Sequence, residues 1–307
     1  MDKRDPHYER KQAILAEKPE IKKLYGYDNR TQYYAYTIVI LQLAAAYAVR
    51  NSWSGALALG FTVGPYLDAA VLCMIHEATH FLVFHSPSAN RLLGIFTNVV
   101  LMIPLSEIFR QHHGMHHKNL GDEAADVDVP SDFEIRVIGC NRLLKLFWLM
   151  FNMIILPARS LTKLPVHTDR FLVLNWVVSL GFGAATFLYS RQSFLYLLLS
   201  FLQSQGFHPA NARQVQRHLY DGDESKRIVD GPTTYSYYGW ANLLTLNVGY
   251  HVEHHDFSRV PWTSLPKLKA IAGPKWYPDD RAYHQRGVWD VLNFVVNPEI
   301  SLADFAH

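Results

Sequence analysis

Three histidine clusters carry the most chemistry in this sequence: His76-Glu-Ala-Thr-His80, His113-Gly-Met-His116-His117 and His251-Val-Glu-His254-His255. On a helix, residues i, i+3 and i+4 point the same way, so the three rings of an HxxHH box share roughly a 100° arc. The HxxxH pair stacks its two rings one turn apart. Neutral imidazole suits iron, zinc or copper and needs no charge compensation where several ligands converge. Eight ligands exceed the capacity of one ion, so the boxes predict two metals. A single buried histidine is more often a satisfied core residue than a ligand; three boxes together favour the metal reading. HEATH also matches the zinc-protease pattern HExxH, with Glu77 as general base for a metal-bound water. That rival leaves both HxxHH boxes without a role.

Hydrophobic runs must position these boxes. Tyr34 to Val49 and Gly55 to Ile75 are separated by Arg50-Asn-Ser-Trp-Ser54, and Phe171 to Tyr189 and Phe194 to Phe207 by Ser190-Arg-Gln-Ser193. At ~1.5 Å per residue each run spans most of a ~30 Å hydrocarbon layer, which predicts two membrane hairpins. Runs of this length also occur in buried core helices. The shorter runs Leu92–Leu105, Leu143–Leu156 and Tyr235–Tyr250 are expected to be interfacial or cap helices. Residues 7–24 read as a basic amphipathic helix broken near Pro19, lying on a membrane surface or on the cap. Residues 1–30 hold eight Lys and Arg, whereas each hairpin break holds one. The positive-inside rule then puts the N-terminus, middle loop, C-terminus and all three boxes on the cytosolic side.

Composition excludes other classes. The formal net charge of +2 in 307 residues gives no electrostatic footprint for nucleic acid. Two cysteines, Cys73 and Cys140, argue against a disulfide-built secreted domain. The polar opening residues predict no cleavable signal peptide. Seven Trp and seventeen Tyr are residue types suited to a membrane–water boundary.

The boxes HEATH, HHGMHH and HVEHH, the stretch GDEAADVDVPSDFE (121–134) and the run TYSYYGWANLLTLNVGYHVEHHDF (234–257) resemble the sphingolipid Δ4-desaturases. So does the entry segment PHYERKQAILAEKPEIKKL (6–24), and the resemblance extends from about residue 5 to 300. It implies two iron ions held by the boxes, dioxygen as oxidant and electrons from cytochrome b5 and its NAD(P)H-dependent reductase. The reaction implied is introduction of a trans C4–C5 double bond into dihydroceramide. It further implies a ninth ligand, matched by His218, and a location in the endoplasmic reticulum. There is no HPGG haem-binding motif, so the electron donor is expected to be a separate protein. The sequence departs from the family at Ala212-Arg213, where a small residue and a histidine are usual, at Val252 in place of Asn and at Ser258 in place of Pro. These changes keep all nine histidines and leave C4-hydroxylation or an inactive scaffold as alternatives.

The expected architecture is all-α: four transmembrane helices in two hairpins, with a cytosolic helical cap holding a di-iron histidine cluster. The chain divides into an entry segment (1–33), a first hairpin (34–75), boxes one and two with part of the cap (76–170), a second hairpin (171–220) and a cap segment with box three (221–307). The lipid chain is expected in an apolar tunnel between cap and membrane helices. Asp68 lies two turns before His76 on the same face, and either binds a polar head-group or bonds a neighbouring helix. Glu77, Glu253 and Asn247 are candidates to orient ligand imidazoles or to build the cap. Asp126, Asp128 and Asp132 are expected to pair with cap arginines in preference to the alternative, contact with the cytochrome partner. His208 is expected to be structural, and His112 to support the site at most. His7, His85, His167, His284 and His307 have no ligand spacing.

Overall fold

A computed structural model describes residues 6–160, 166–211, 234–284 and 288–305. Among these the chain is helical, and strand is limited to a two-residue parallel pair, Tyr237–Tyr238 (β1) against Tyr283–His284 (β2). The first hydrophobic run forms α2, Thr31–Ala48. The second, read from sequence as one helix, is two: α3, Trp53–Phe61, and α4, Gly64–Thr79, meeting at a 54° bend. Thr62 donates its hydroxyl to Ala58 O, and Pro65 sits in the first turn of α4, where its missing N–H costs no helical bond.

The second hairpin comprises α9, Arg170–Tyr189, and α10, Arg191–Gln205. Its tip is tied to that of the first: Ser190 Oγ donates to Arg50 O and Ser193 Oγ to Ala46 O, both at 2.7 Å. Gly64 presses against α10 so closely that an added Cβ would collide with Ser200 Oγ and reach the Tyr196 ring. A buried polar chain joins the bundle, Tyr196 Oη donating to Gln42 Oε1 and Gln42 Nε2 to Asp68 Oδ1, at 2.7 and 2.8 Å. Asp68 thus makes the hydrogen bond to a neighbouring helix, one of its two expected roles, through Oδ1, while Oδ2 has no hydrogen-bond partner among the described residues. Among the described residues, α9 is the one helix that by length and composition suffices to cross a membrane by itself, and the bent pair α3–α4 does so jointly. A third pair, α5 (Pro87–Asn98) with the turn that follows it and α6 (Ser106–Lys118), also qualifies jointly but folds back at 117°.

The cap contains α1 (Pro6–Glu17), α7 (Asp132–Ile138), α8 (Arg142–Ser160), α11 (His251–Asp256), α12 (Leu265–Ala272) and α13 (Val288–Val296). The entry segment belongs to the cap: Ile14 and Ile21 are buried in one cluster with Val252, Phe257, Val260 and Leu268. At the start of α7 a capping box joins Ser131 and Glu134. Glu134 also accepts from Trp148 Nε1 at 2.9 Å and from Arg159 Nη2 at 2.6 Å, which ties α7 to α8.

Burial raises the Glu134 carboxyl, but the Arg159 guanidinium and the Ser131 bonds prevail and hold it down at about 2. Its folded value lies below its ordinary one, so its stabilising contribution is complete above about pH 4.5 and is lost as pH falls toward 2. Glu134→Gln leaves Arg159 buried without its counter-charge, and a loss of about 3 kcal/mol is expected in thermal unfolding of detergent-solubilised protein at pH 7. That loss should shrink below pH 4.

The segment Tyr235–Tyr250 corrects the sequence reading, because no α-helix forms there. Asn242 spends its side chain locally, donating to Tyr237 O at 3.1 Å and accepting from Gly249 N at 3.2 Å. Leu246 and Asn247 take left-handed backbone angles, with φ of 52° and 55°. A Cβ on Gly249 would strike both Asn242 Oδ1 and Tyr237 O, so this turn requires glycine.

Candidate metal centre

Box one ends α4, with His80 as its C-cap; box two lies on the last turns of α6; box three opens α11. Helical spacing turns each set inward, and the fold brings the sets together. The ligand nitrogens of His76, His80, His113, His117 and His254 all lie within 4.8 Å of one another. Four of their Nε2 atoms close a ring: His80 to His113 at 3.0 Å, His113 to His117 at 3.0 Å, His117 to His254 at 3.1 Å and His254 to His80 at 3.2 Å. Nitrogens this close need a proton or a cation between them. Set out as a square, these sides place each nitrogen about 2.2 Å from the centre, near the ~2.0–2.1 Å of imidazole on zinc. The residues fit a metal ion.

The other three box histidines adjoin this group. His255 stacks on His117 with ring centroids 4.2 Å apart, and contacts His251 at 4.5 Å and His116 at 5.3 Å. The eight imidazoles thus form a group of five and a contiguous group of three. Burial and the neighbouring imidazoles hold His254 and His255 well below the ordinary histidine range, which keeps them neutral and able to donate a lone pair.

Polar residues around the cluster fix ring orientation. Asp126 Oδ2 accepts from His116 Nδ1 at 2.9 Å. That bond leaves Nε2 of His116 to face the cluster, as in carboxylate–histidine–metal arrangements. Asp126 also accepts from the backbone N–H groups of Gly121 and Asp128. Burial raises its carboxyl, but His116 and these N–H groups outweigh that and bring it to about 2. Asp126→Asn should weaken metal retention by about 10- to 100-fold, measured by chelator competition, without changing helical content.

In box three, Glu253 points away from the rings and accepts from Ser236 Oγ and Tyr238 Oη, both at 2.5 Å. Burial pushes its carboxyl up to about 7 against those two hydroxyls. Asp256 Oδ1 accepts from His7 Nδ1 at 2.7 Å, while Oδ2 accepts from Tyr277 Oη at 2.9 Å and Arg10 Nη2 at 3.2 Å. The His7 ring lies 5.1 Å from that of His255.

Comparison with known proteins supplies the family. The fatty acid desaturase family profile matches residues 30–287, and the sphingolipid Δ4-desaturase profile matches residues 1–30. The chain belongs to the sphingolipid Δ4-desaturase family. It is 33% identical to the sphingolipid delta(4)-desaturase DES1 of Drosophila melanogaster, over 96% of this chain and 90% of that protein. It is 35% identical to a DES1-like sphingolipid delta(4)-desaturase of Oryza sativa subsp. japonica, over 91% and 83%. The sphingolipid delta(4)-desaturase of Komagataella phaffii is also 35% identical, over 97% and 84%.

Other expected site residues in this desaturase family member take more varied places. His218, and Arg213 in the departure from the family pattern, lie outside the described residues. Asn247 sits in the left-handed turn and donates to Trp262 O at 3.1 Å, so its described side-chain bond supports the cap loop rather than His251. His208 follows α10, accepts from Ala210 N at 3.1 Å and meets Tyr66 edge-on, a structural placement at the bundle. His112 is buried beside box two, and neither ring nitrogen has a hydrogen-bond partner among the described residues. Asp126, expected to pair with cap arginines, is bonded to a box histidine; Glu134 makes the pairing with Arg159. His7 and Asp256 were not legible as site residues, because their contact joins positions 249 residues apart.

Proposed function

We propose that this protein is an oxygen-dependent sphingolipid 4-desaturase that converts dihydroceramide to ceramide. Convergence of imidazoles from all three boxes on one buried cluster carries the reading, together with the family. The proposed ligands are His76, His80, His113, His117 and His254 for one iron, and His116, His251 and His255 with His218 for the other. When bound, the iron pair would activate dioxygen for hydrogen abstraction. Overall, one CH₂–CH₂ unit loses two hydrogens, and dioxygen takes up two electrons and two further protons to leave two waters. We assign the electrons to a separate cytochrome b5 and its NAD(P)H-dependent reductase.

The chain's own residues position and exclude. Asp126 fixes the His116 ring, and Asp256, with His7 and Arg10, anchors the end of α11 that carries box three. Buried apolar residues beside the cluster, including Val248 and Leu265, exclude water from it. We assign the hydrophobic helices α2, α3–α4, α9 and α10 to four spans of the endoplasmic reticulum membrane, with the cap and N-terminus cytosolic. The rival zinc-protease reading uses only His76, His80 and Glu77, yet those histidines meet three more imidazoles.

Expression in a desaturase-null cell line, with lipid mass spectrometry and metal analysis of purified protein, tests the proposal. The expected result is 4,5-trans ceramide and about two irons per chain. A 4-hydroxylated product alone would assign the alternative outcome, and a single zinc without a lipid product would overturn both.

A further inference from the structure

The inference here rests on the proposed 4-desaturation and concerns how the correct carbons are chosen. A sphingoid base carries a hydroxyl on C3, the carbon bonded to C4. Reaction in the middle of an acyl chain brings only methylenes to the metal site, whereas reaction at C4 brings a hydroxyl with it. A hydroxyl taken into a dry site without a partner is penalised. A 4-desaturase therefore needs a hydrogen-bonding group beside its ligand imidazoles.

Glu77 meets that need. It follows His76 in box one and is buried, and its Oε2 has no hydrogen-bond partner among the described residues. With Cys73, His76, His254, Leu246 and Val248 it lines a small, partly enclosed cavity of about the size of a water molecule. The cavity has room for one hydroxyl. Two of its walls are imidazoles of the five-histidine group, so a group held there sits within a few atoms of the metal position. A buried carboxyl oxygen without a hydrogen-bond partner is itself costly, and a substrate hydroxyl would supply one.

We propose that Glu77 Oε2 accepts a hydrogen bond from the C3 hydroxyl of the sphingoid base. That bond fixes the register of the chain, placing C4 and C5 rather than a deeper pair beside the metals. Glu77 is thus a specificity-determining residue of the reaction.

The test compares dihydroceramide with its 3-deoxy analogue in purified, iron-loaded protein. Wild type is expected to prefer dihydroceramide by about 10- to 100-fold in kcat/KM, the range for leaving a buried polar group without its hydrogen-bond partner. Glu77→Ala should abolish that preference and shift part of the product to bonds beyond C4–C5. Glu77→Gln, which keeps an acceptor oxygen and the side-chain size, should retain an intermediate preference. Two readouts do not depend on turnover: metal content, expected to stay at the wild-type level in both variants, and dihydroceramide retained through purification, expected to fall about tenfold or more in Glu77→Ala. An undiminished preference in either variant overturns the proposal, and so does loss of iron from Glu77→Gln, which would make Glu77 a support of the metal site. If wild type makes no 4,5-unsaturated product from dihydroceramide, the parent reading fails first, and that arm shows it separately.

Discussion

Replacing His254 with alanine is expected to abolish lipid turnover, with a loss of roughly 1,000-fold or more, equivalent to about 4 kcal/mol of barrier. The His254 Nε2 forms two of the four sides of the nitrogen ring, to His80 and to His117, and its ring also lies 4.5 Å from that of His76. Removing it opens the ring and leaves a hole between α4 and α6 on one side and α11 on the other. The hydrophobic helices do not depend on it, so membrane insertion and helical content should be unchanged. Iron per chain should fall toward one, and full turnover in this variant would refute the ligand assignment. His85, whose ring packs on Tyr27, serves as a control, and His85→Ala should alter neither iron content nor product.

Asp256→Ala is expected to have the second largest effect, although this residue holds no metal. Its two oxygens collect His7, Arg10 and Tyr277 at the end of α11, directly after His255. Removing the carboxylate strips a counter-charge from Arg10 and a partner from His7 in a buried setting, a change that costs about 3 kcal/mol or more. Thermal unfolding of the cap should move to lower temperature, and metal should be lost faster to a chelator. Asp256→Asn should restore part of the stability, because the amide oxygen still accepts. If iron retention in Asp256→Ala matched wild type, the clamp would be irrelevant to the centre.

The boxes were legible in the sequence because ligation by a helix is a local property: spacings of three and four residues settle which rings share a face. The alternation of hydrophobic runs and short breaks likewise placed α2, α9 and α10 to within a few residues. What escaped depends on contacts between distant segments or on side chains that bond their own backbone. Asp126 reads as one acid among several until the turn after α6 brings it under His116. His7 has no ligand spacing, and its place beside box three follows only once α1 packs onto α11. In Tyr235–Tyr250 the aromatic run suggests a helix, but Asn242 and Gly249 secure a tight turn that outweighs the pattern. The break between α3 and α4 did have a sequence signal, Thr62-Val-Gly-Pro65, which a continuous apolar count passes over.

Gly64 has a mechanical consequence out of proportion to its size. It stands twelve residues before His76, about 18 Å along the helix axis. Over that lever arm a tilt of about 3° swings the imidazole by about 1 Å, several times the ~0.2 Å that a metal–ligand bond tolerates. The alignment of the first box is thus set at the remote end of α4, where a bare backbone rests on Ser200. A methyl group added there acts as a wedge, and its effect should register as scrambled coordination at the opposite end of the rod.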